Sequence, residues 1–366
     1  MKIAQVCPYD FSRPGGVKSH IESLSKYLQR AGHDVKILAP KPSVQQTNVY
    51  HFGGNKSINL GGTKIDINIA LGSDRKSLKN FLKEEKFDII HFHTFWNPLL
   101  PFQIRRFSNS KYITTFHDTP KNQFVGKNIM PIAAKGVFKL MDAIISVSET
   151  QASYINRFSR REISIIPNGI DLELYSKPIS PINRFKDDKL NILFLSRLEP
   201  RKGLIYALES YKTLKSANSN LRLLIAGDGD ERQLAEKMIS EHNLSDVEML
   251  GFVSETEKLQ LLKTADIYLA PAIYGESFGI VLLEAMAMGT PLVGFANEGY
   301  LNVISGMQKE YFAEPRDSVS LTAMLKKLCE DPNIRSTLSQ KGLEKVKNYD
   351  WPLVTSEILK MYEKLA

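Results

Sequence analysis

The sequence predicts an α/β protein of two domains facing a cleft, each built on a parallel sheet whose strands are joined by helices. Three observations carry this expectation. The chain has 366 residues and a mass of 41.4 kDa, too long for one typical core and about right for two. Short apolar runs rich in β-branched and aromatic residues alternate with helical patterns along it. A proline-containing stretch of mixed charge, residues 171–188, has a linker's composition and divides that series in two.

Residues 2–7 read as a first buried strand, followed by the turn Pro14-Gly15-Gly16 and a helix with Val17, Ile21, Leu24 and Leu28 on one face. Gly15 and Gly16 allow backbone to approach a ligand at the carboxyl end of a strand, where open α/β sheets bind; as a bare sharp turn they carry no function. Residues 35–39 read as the next strand. Residues 74–86 read as an amphipathic helix, with Leu78, Phe81 and Leu82 on one side and Arg75, Lys76, Lys79 and Lys83 around the rest. Residues 88–93 and 112–116 read as parallel strands that deliver His93 and His117 at their carboxyl ends. Strands at 143–147 and 163–166 lead to Pro167-Asn168-Gly169, which closes the first domain. The second domain's strands are expected at 191–196, 221–226, 247–250, 267–270 and 291–294. Beyond Asp317 the chain reads as helical, and Trp351-Pro352 opens a last amphipathic helix expected to cross back to the first domain.

Hydrophobic residues make up 43% and charged residues 24%, an ordinary globular composition without repeats or low-complexity tracts. Cys7 and Cys329 belong to no metal or redox spacing, and a reducing cytosol suits them. No apolar run has the length of a signal peptide or a bilayer span, so the expected location is cytoplasmic, with peripheral contact at the inner face of the plasma membrane. The net charge is +8, and it is uneven: residues 1–170 hold 24 Lys and Arg against 12 Asp and Glu, whereas the remainder holds 24 against 28. A basic first half suits an anionic partner, a membrane surface or a nucleic acid. Nucleic acid is disfavoured, because the basic residues form no recognisable motif or stacking platform. A nicotinamide-dependent dehydrogenase is disfavoured too, since no glycine fingerprint with a distal acid follows the first strand.

The chemistry is expected to centre on residues 274–289, where Gly275 and Gly279 bracket a turn and an apolar helix begins near Phe278 and ends at Gly289. The first-turn amides of such a helix suit a diphosphate. Glu276 before the helix and Glu284 within it each have a carboxylate to offer a hydroxyl-bearing ring; the structural alternative is a dipole charge and a polar residue on a core-facing helix. Glu284 among aliphatic neighbours needs a partner, which favours the ligand reading. Arg197 and Lys202, after the second domain's first strand, can neutralise a leaving diphosphate or simply be solvated. His117 is the better candidate of the two histidines because a polar loop follows it. A zinc site is not expected, as no carboxylate or cysteine stands nearby at ligand spacing, and Asp228 and Asp230 read as helix-start acids rather than metal ligands.

Taken together, Gly15-Gly16-Val17, Thr115-Phe116-His117, Pro167-Asn168-Gly169, Arg197 with Arg201-Lys202-Gly203, Ala226-Gly227-Asp228-Gly229 and Glu276 through Glu284 resemble the motif order of retaining GT-B glycosyltransferases of the sucrose-synthase and mannosyltransferase type. The resemblance spans essentially the whole chain and is nearest to bacterial phosphatidylinositol mannosyltransferases. It implies two Rossmann-like domains, residues 1–170 for the acceptor and 189–348 for the nucleotide sugar, with a crossover helix at 349–366. By position it implies that Gly15, Gly16, Arg197, Lys202, Glu276, Ser277, Phe278, Gly279, Ile280 and Glu284 bind the donor. Among these, Arg197 and Lys202 hold the diphosphate, Glu276 the sugar hydroxyls and Glu284 the ribose, with His117 near the anomeric carbon. Tyr9, Asp118 and Lys121 fall on the acceptor side. The implied reaction transfers a hexose, mannose from GDP-mannose, to a lipid or glycan acceptor with retention and without metal or other cofactor. A UDP-sugar enzyme extending a soluble or polyprenol-linked glycan is the alternative, and a non-catalytic sugar-nucleotide-binding protein a third. The acceptor side departs from the pattern: Ser12-Arg13 replaces an acid before the turn proline, and Thr94-Phe95-Trp96 replaces a Glu-Pro.

Overall fold

A computed structural model describes residues 1–12, 15–42, 48–60, 63–93, 99–117, 138–157, 159 and 161–366. The chain divides into two compact units, Met1–Gly169 with Trp351–Ala366, and Ile170–Asp350.

The first unit is built on seven strands: β1 (Lys2–Val6), β2 (Asp34–Ala39), β3 (Val49–His51), β6 (Ile89–His93), β7 (Lys111–Phe116), β8 (Ala143–Ser146) and β9 (Ile163–Ile165). They pair in parallel in the order β3-β2-β1-β6-β7-β8-β9. An antiparallel hairpin, β4 (Gly54–Leu60) with β5 (Thr63–Ile69), interrupts the series. Strand side chains alternate between faces, so Ile90 and Phe92 enter one core while Ile3, Ile89 and Ile113 enter the other. The second core is completed by Leu24 and Leu28 of the helix Gly16–Arg30 and by Trp351, Val354, Ile358 and Tyr362 of the helix Trp351–Leu365. Each of these large buried apolar side chains contributes roughly 1.5–3 kcal/mol. The terminal helix is thereby an integral layer of the first unit, as expected from sequence.

The second unit is a six-stranded parallel sheet of β10 (Leu190–Leu195), β11 (Leu221–Ala226), β12 (Val247–Gly251), β13 (Ile267–Ala270), β14 (Leu292–Phe295) and β15 (Phe312–Ala313), in the order β12-β11-β10-β13-β14-β15. Its strands read as near-continuous apolar runs because helices cover both faces. The stretch expected to be a linker belongs to this unit. Asp187 pairs with Arg222, the Phe185 carbonyl accepts from Asn191 at 3.1 Å, and Tyr175 reaches Glu284. Polar composition there reflects ion pairing on a folded surface, not a tether. No helix among the described residues is long and apolar enough to cross a membrane.

Candidate functional site

In the second unit, the loops that leave β10 and β13 meet. After β10 the chain runs through Arg197 and Glu199 into a short turn at Pro200–Lys202, and after β13 it runs through Gly275 and Glu276 to the helix Ile280–Ala287. Lys202 donates from Nζ to Glu276 Oε1 at 2.5 Å, and Arg201 donates from Nη1 to the same oxygen at 3.0 Å and to the Gly275 carbonyl at 3.1 Å. Arg201 also donates from Nε to Glu199 at 2.7 Å, and Glu199 in turn pairs with Arg197 at 2.6 Å. The result is a run of alternating charge, Arg197–Glu199–Arg201–Glu276–Lys202. Burial pushes the Lys202 ammonium pKa down, with Glu276 opposing that and Arg201 and Arg197 adding to it.

The backbone is shaped for this contact. Gly275 and Gly279 take left-handed conformations at φ 75° and 100°, as the bracketing glycines require. Gly299 lies so close that a Cβ on it would sit 2.2 Å from the Glu276 carbonyl oxygen, which keeps a side chain out of the space behind the acid. The helix begins at Ile280 rather than Phe278, capped by Gly279, and ends as Gly289 turns left-handed.

Arg197, expected as half of a diphosphate clamp, has a side chain 69% exposed and is tied to Glu199; the buried arginine at the acid is Arg201, which the sequence reading quoted but gave no role. Its signal was its place beside Lys202. Phe278 is buried, edge-on to Tyr349, so its ring packs inside the unit. Ser277 and Ile280 are partly exposed. Glu284 has protein partners: Lys258 donates to it at 2.7 Å and the Tyr175 hydroxyl bonds it. The carboxylate that needs a partner among aliphatic residues finds two within the protein. Burial works against the charge of Lys258, but Glu284 and Glu255 outweigh it and its pKa ends raised. Asp228 accepts from the Gly229 amide at 2.8 Å, in the turn before the helix Arg232–Glu241; that helix is preceded by Glu231 and has no side-chain cap, so the helix-start role expected of Asp228 and Asp230 is not seen.

The first unit gathers a second cluster. The alternation in His91-Phe92-His93 points both histidines to the core face that also holds Gln5 and Thr115. His93 Nδ1 and His117 Nε2 are 3.0 Å apart, and His93 Nε2 is 2.6 Å from Gln5 Oε1. His91 bonds the Tyr362 hydroxyl at 2.6 Å and Thr115 at 2.7 Å. His20, from the inner face of the helix Gly16–Arg30, meets His117 edge-on at 4.5 Å and bonds Asn168 at 2.9 Å. Neither His20 nor Asn168 was assigned a role from sequence; a histidine at helical spacing from Val17, Ile21 and Leu24 was the available signal. Burial drives all four imidazoles to the neutral form: His20 is pushed down to about 4 and His91 to about 3, and His93 and His117 lie well below the ordinary value.

Ring nitrogens of His20, His93 and His117 lie within 4.8 Å of one another, a spacing that can hold a metal ion. Spacing along the chain did not reveal this grouping, because the three come from separate elements. The His93–His117 hydrogen bond spans that space. Gly15 and Gly16 are exposed at the helix start, and a Cβ on Gly15 would meet nothing within 4 Å, so the fold itself does not demand glycine at position 15. Tyr9 packs against Cys7 and Phe11. Asp118 and Lys121 lie outside the described residues, as do Pro14 and the Thr94-Phe95-Trp96 segment.

Two parallel-sheet units of this kind, with an acid and two cations at the sheet's carboxyl end, are those of a GT-B glycosyltransferase. The chain matches the family model for glycosyl transferases group 1 over residues 176–345 and that for glycosyltransferase family 4 over residues 14–174. It is 30% identical to a phosphatidyl-myo-inositol mannosyltransferase of Mycobacterium leprae, over 100% of this chain and 97% of that protein. It is 29% identical to that of Mycolicibacterium smegmatis, over 100% and 94%. Among solved structures, Anabaena Alr3699/HepE in complex with UDP superposes with a TM-score of 0.82 at 19% identity, covering 100% of each chain. Sucrose-phosphate synthase from Thermosynechococcus elongatus superposes at 0.75 and 21%, covering 100% of this chain and 98% of that one. The chain belongs to the group 1 and family 4 glycosyltransferases.

Proposed function

We propose that this protein transfers mannose from GDP-mannose to a lipid or glycan acceptor, with retention of anomeric configuration and without a metal. The observation that carries the reading is Glu276 held by Lys202 and Arg201 at the carboxyl end of a parallel sheet, where such sheets bind ligands. An ammonium so placed would stabilise charge that develops on a departing diphosphate, and the acid beside it would orient sugar hydroxyls. The relatives named as phosphatidyl-myo-inositol mannosyltransferases support mannose as the sugar and a phosphoinositide as the acceptor. The basic first half supports work at an anionic membrane surface.

A second reading, a UDP-sugar enzyme extending a soluble or polyprenol-linked glycan, draws support for its donor alone from the structures of HepE with UDP and with UDP-glucose. A donor panel separates the two. The protein is incubated with GDP-mannose, UDP-glucose, UDP-GlcNAc and UDP-galactose, and donor hydrolysis and thermal stabilisation are measured for each. GDP-mannose is expected to be turned over and the uridine donors not. Turnover confined to a UDP-sugar replaces the first reading with the second, and response to none of them removes both.

A further inference from the structure

The three histidines that group within 4.8 Å come from three separate elements of the first unit: His20 from the helix Gly16–Arg30, His93 from the carboxyl end of β6 and His117 from just beyond β7. All three are buried, and each has one ring nitrogen held by a side-chain amide. Gln5, oriented by its own donation to the Tyr362 hydroxyl at 3.2 Å, places Oε1 2.6 Å from His93 Nε2. A carbonyl oxygen only accepts, so His93 carries its proton on Nε2 and its Nδ1 is bare. Asn168 Oδ1 holds His20 in the same way, 2.9 Å from Nδ1, and leaves His20 Nε2 bare. That nitrogen is buried and has no partner among the described residues. Asn168 also bonds His117, whose Nε2 is turned to His93 Nδ1 at 3.0 Å, so the nitrogen left for Asn168 is Nδ1.

We propose that His20 Nε2, His93 Nδ1 and His117 Nε2 form a binding site for a divalent late first-row metal ion, with zinc as the ion to test. No carboxylate or thiol among the described residues joins the group, and an all-imidazole donor set suits zinc, copper or nickel rather than magnesium or calcium. Zinc–nitrogen bonds of about 2.0–2.1 Å in a tetrahedral arrangement set the ligand nitrogens about 3.3 Å apart. The His93–His117 pair is already near that spacing, and it is His20 that has to close on them. When the metal takes His117 Nε2, the proton there moves to Nδ1, and the Asn168 oxygen has a second lone pair to receive it. Each ligand then has its outer N–H on an amide oxygen, the kind of support that fixes tautomer and ring orientation in metal-bound histidines. Burial keeps the rings in the neutral form that ligates metal. The ion ties the helix Gly16–Arg30 to β6 and β7 within the first unit; the transfer proposed above uses no metal, and the site does not depend on that reading.

The test uses the full chain, stripped with a chelator and dialysed, then titrated with zinc chloride by calorimetry and with cobalt(II) chloride by visible absorption. One zinc per chain is expected, with a rise in the thermal midpoint, and cobalt is expected to give the intense absorption of a four-coordinate site. His20→Gln and His93→Gln should weaken zinc binding at least about a hundredfold, and Gln5→Met about tenfold or more by loosening the His93 ring. His242→Gln, on the surface of the second unit, should bind zinc as the unaltered protein does. The site is overturned if the unaltered chain binds no zinc, if its cobalt complex shows only weak six-coordinate absorption, or if His20→Gln and His93→Gln bind zinc undiminished. A loss in His242→Gln equal to that in His20→Gln would mean adventitious surface binding only and overturns it too. Because the cobalt spectrum is read on the unaltered protein, the outcome is decided even where a variant fails to fold.

Discussion

Lys202 Nζ and Glu276 Oε1 lie 2.5 Å apart although 74 residues separate them in sequence. The contact joins the loops after two neighbouring strands, β10 and β13, and holds an ammonium at their carboxyl ends, where the proposed reaction would place a leaving diphosphate. Lys202→Ala is expected to reduce kcat/KM at least about a hundredfold, by analogy with loss of a transition-state donor. Steady-state kinetics on a folded variant with undiminished turnover would reject the role.

Arg201 and Arg197 should behave differently despite their similar chemistry. Arg201→Ala leaves Glu199, Glu276 and the Gly275 carbonyl each short of a donor in a largely buried setting, and is expected to cost about 3 kcal/mol or more in urea unfolding. Arg197→Ala removes an exposed pair and should change stability by less than about 1 kcal/mol. Equal losses would mean that the run of alternating charge does not order these side chains as described.

Stability should fall with acid through a window set by the buried histidines. Unfolded imidazoles protonate as pH drops through about 6.5, whereas folded His20 does not until about 4 and His91 until about 3. Between those limits the unfolded state binds more protons, so stability is present above the unfolded value and is lost as pH falls, by up to about 1.4 kcal/mol per pH unit for each ring. Urea midpoints at pH 7.5 and pH 5 check this, and midpoints that do not move would show that the rings titrate normally.

Membrane attachment, if it occurs through the helix Gly72–Glu85, must be electrostatic. Leu78 and Leu82 are buried in the first unit's core, while Arg75, Lys76, Lys79 and Lys83 are exposed, so the apolar stripe is spent on folding. Each basic residue near an anionic bilayer contributes about 1 kcal/mol. Binding to anionic vesicles but not neutral ones is expected, weakening with salt and lost when the four become Gln. Vesicle sedimentation that persists in that variant would move the contact elsewhere.

Much of the fold was legible because parallel strands are apolar throughout and their ends are marked by glycine or proline turns. Residues 2–7, 88–93, 112–116 and 221–226 each lie within a residue or two of an observed strand. The hairpin β4–β5 was not foreseen, although Ile65, Ile67 and Ile69 alternate with polar residues. Glu276, before a helix, and Lys202, after a strand, were recognisable as candidate site residues. Their mutual contact, the place of Arg201 between two acids and the partners of Glu284 were not, because each depends on which loops the sheet order brings side by side. His20 was hidden for another reason: on an apolar helix face it looks like packing until its neighbours are known.

The helix Trp351–Leu365 gives the first unit a seam in time as well as in space. Strands from β1 to β9 are synthesised first, yet the layer that carries Trp351 and Tyr362 leaves the ribosome only after all of Ile170–Asp350. The second unit, contiguous in sequence, can complete its core while the first still lacks one wall. A nascent chain halted before Trp351 would expose Ile3, Ile89 and Ile113 to solvent and leave Gln5 without its tyrosine, so the buried histidine cluster of the first unit is completed last.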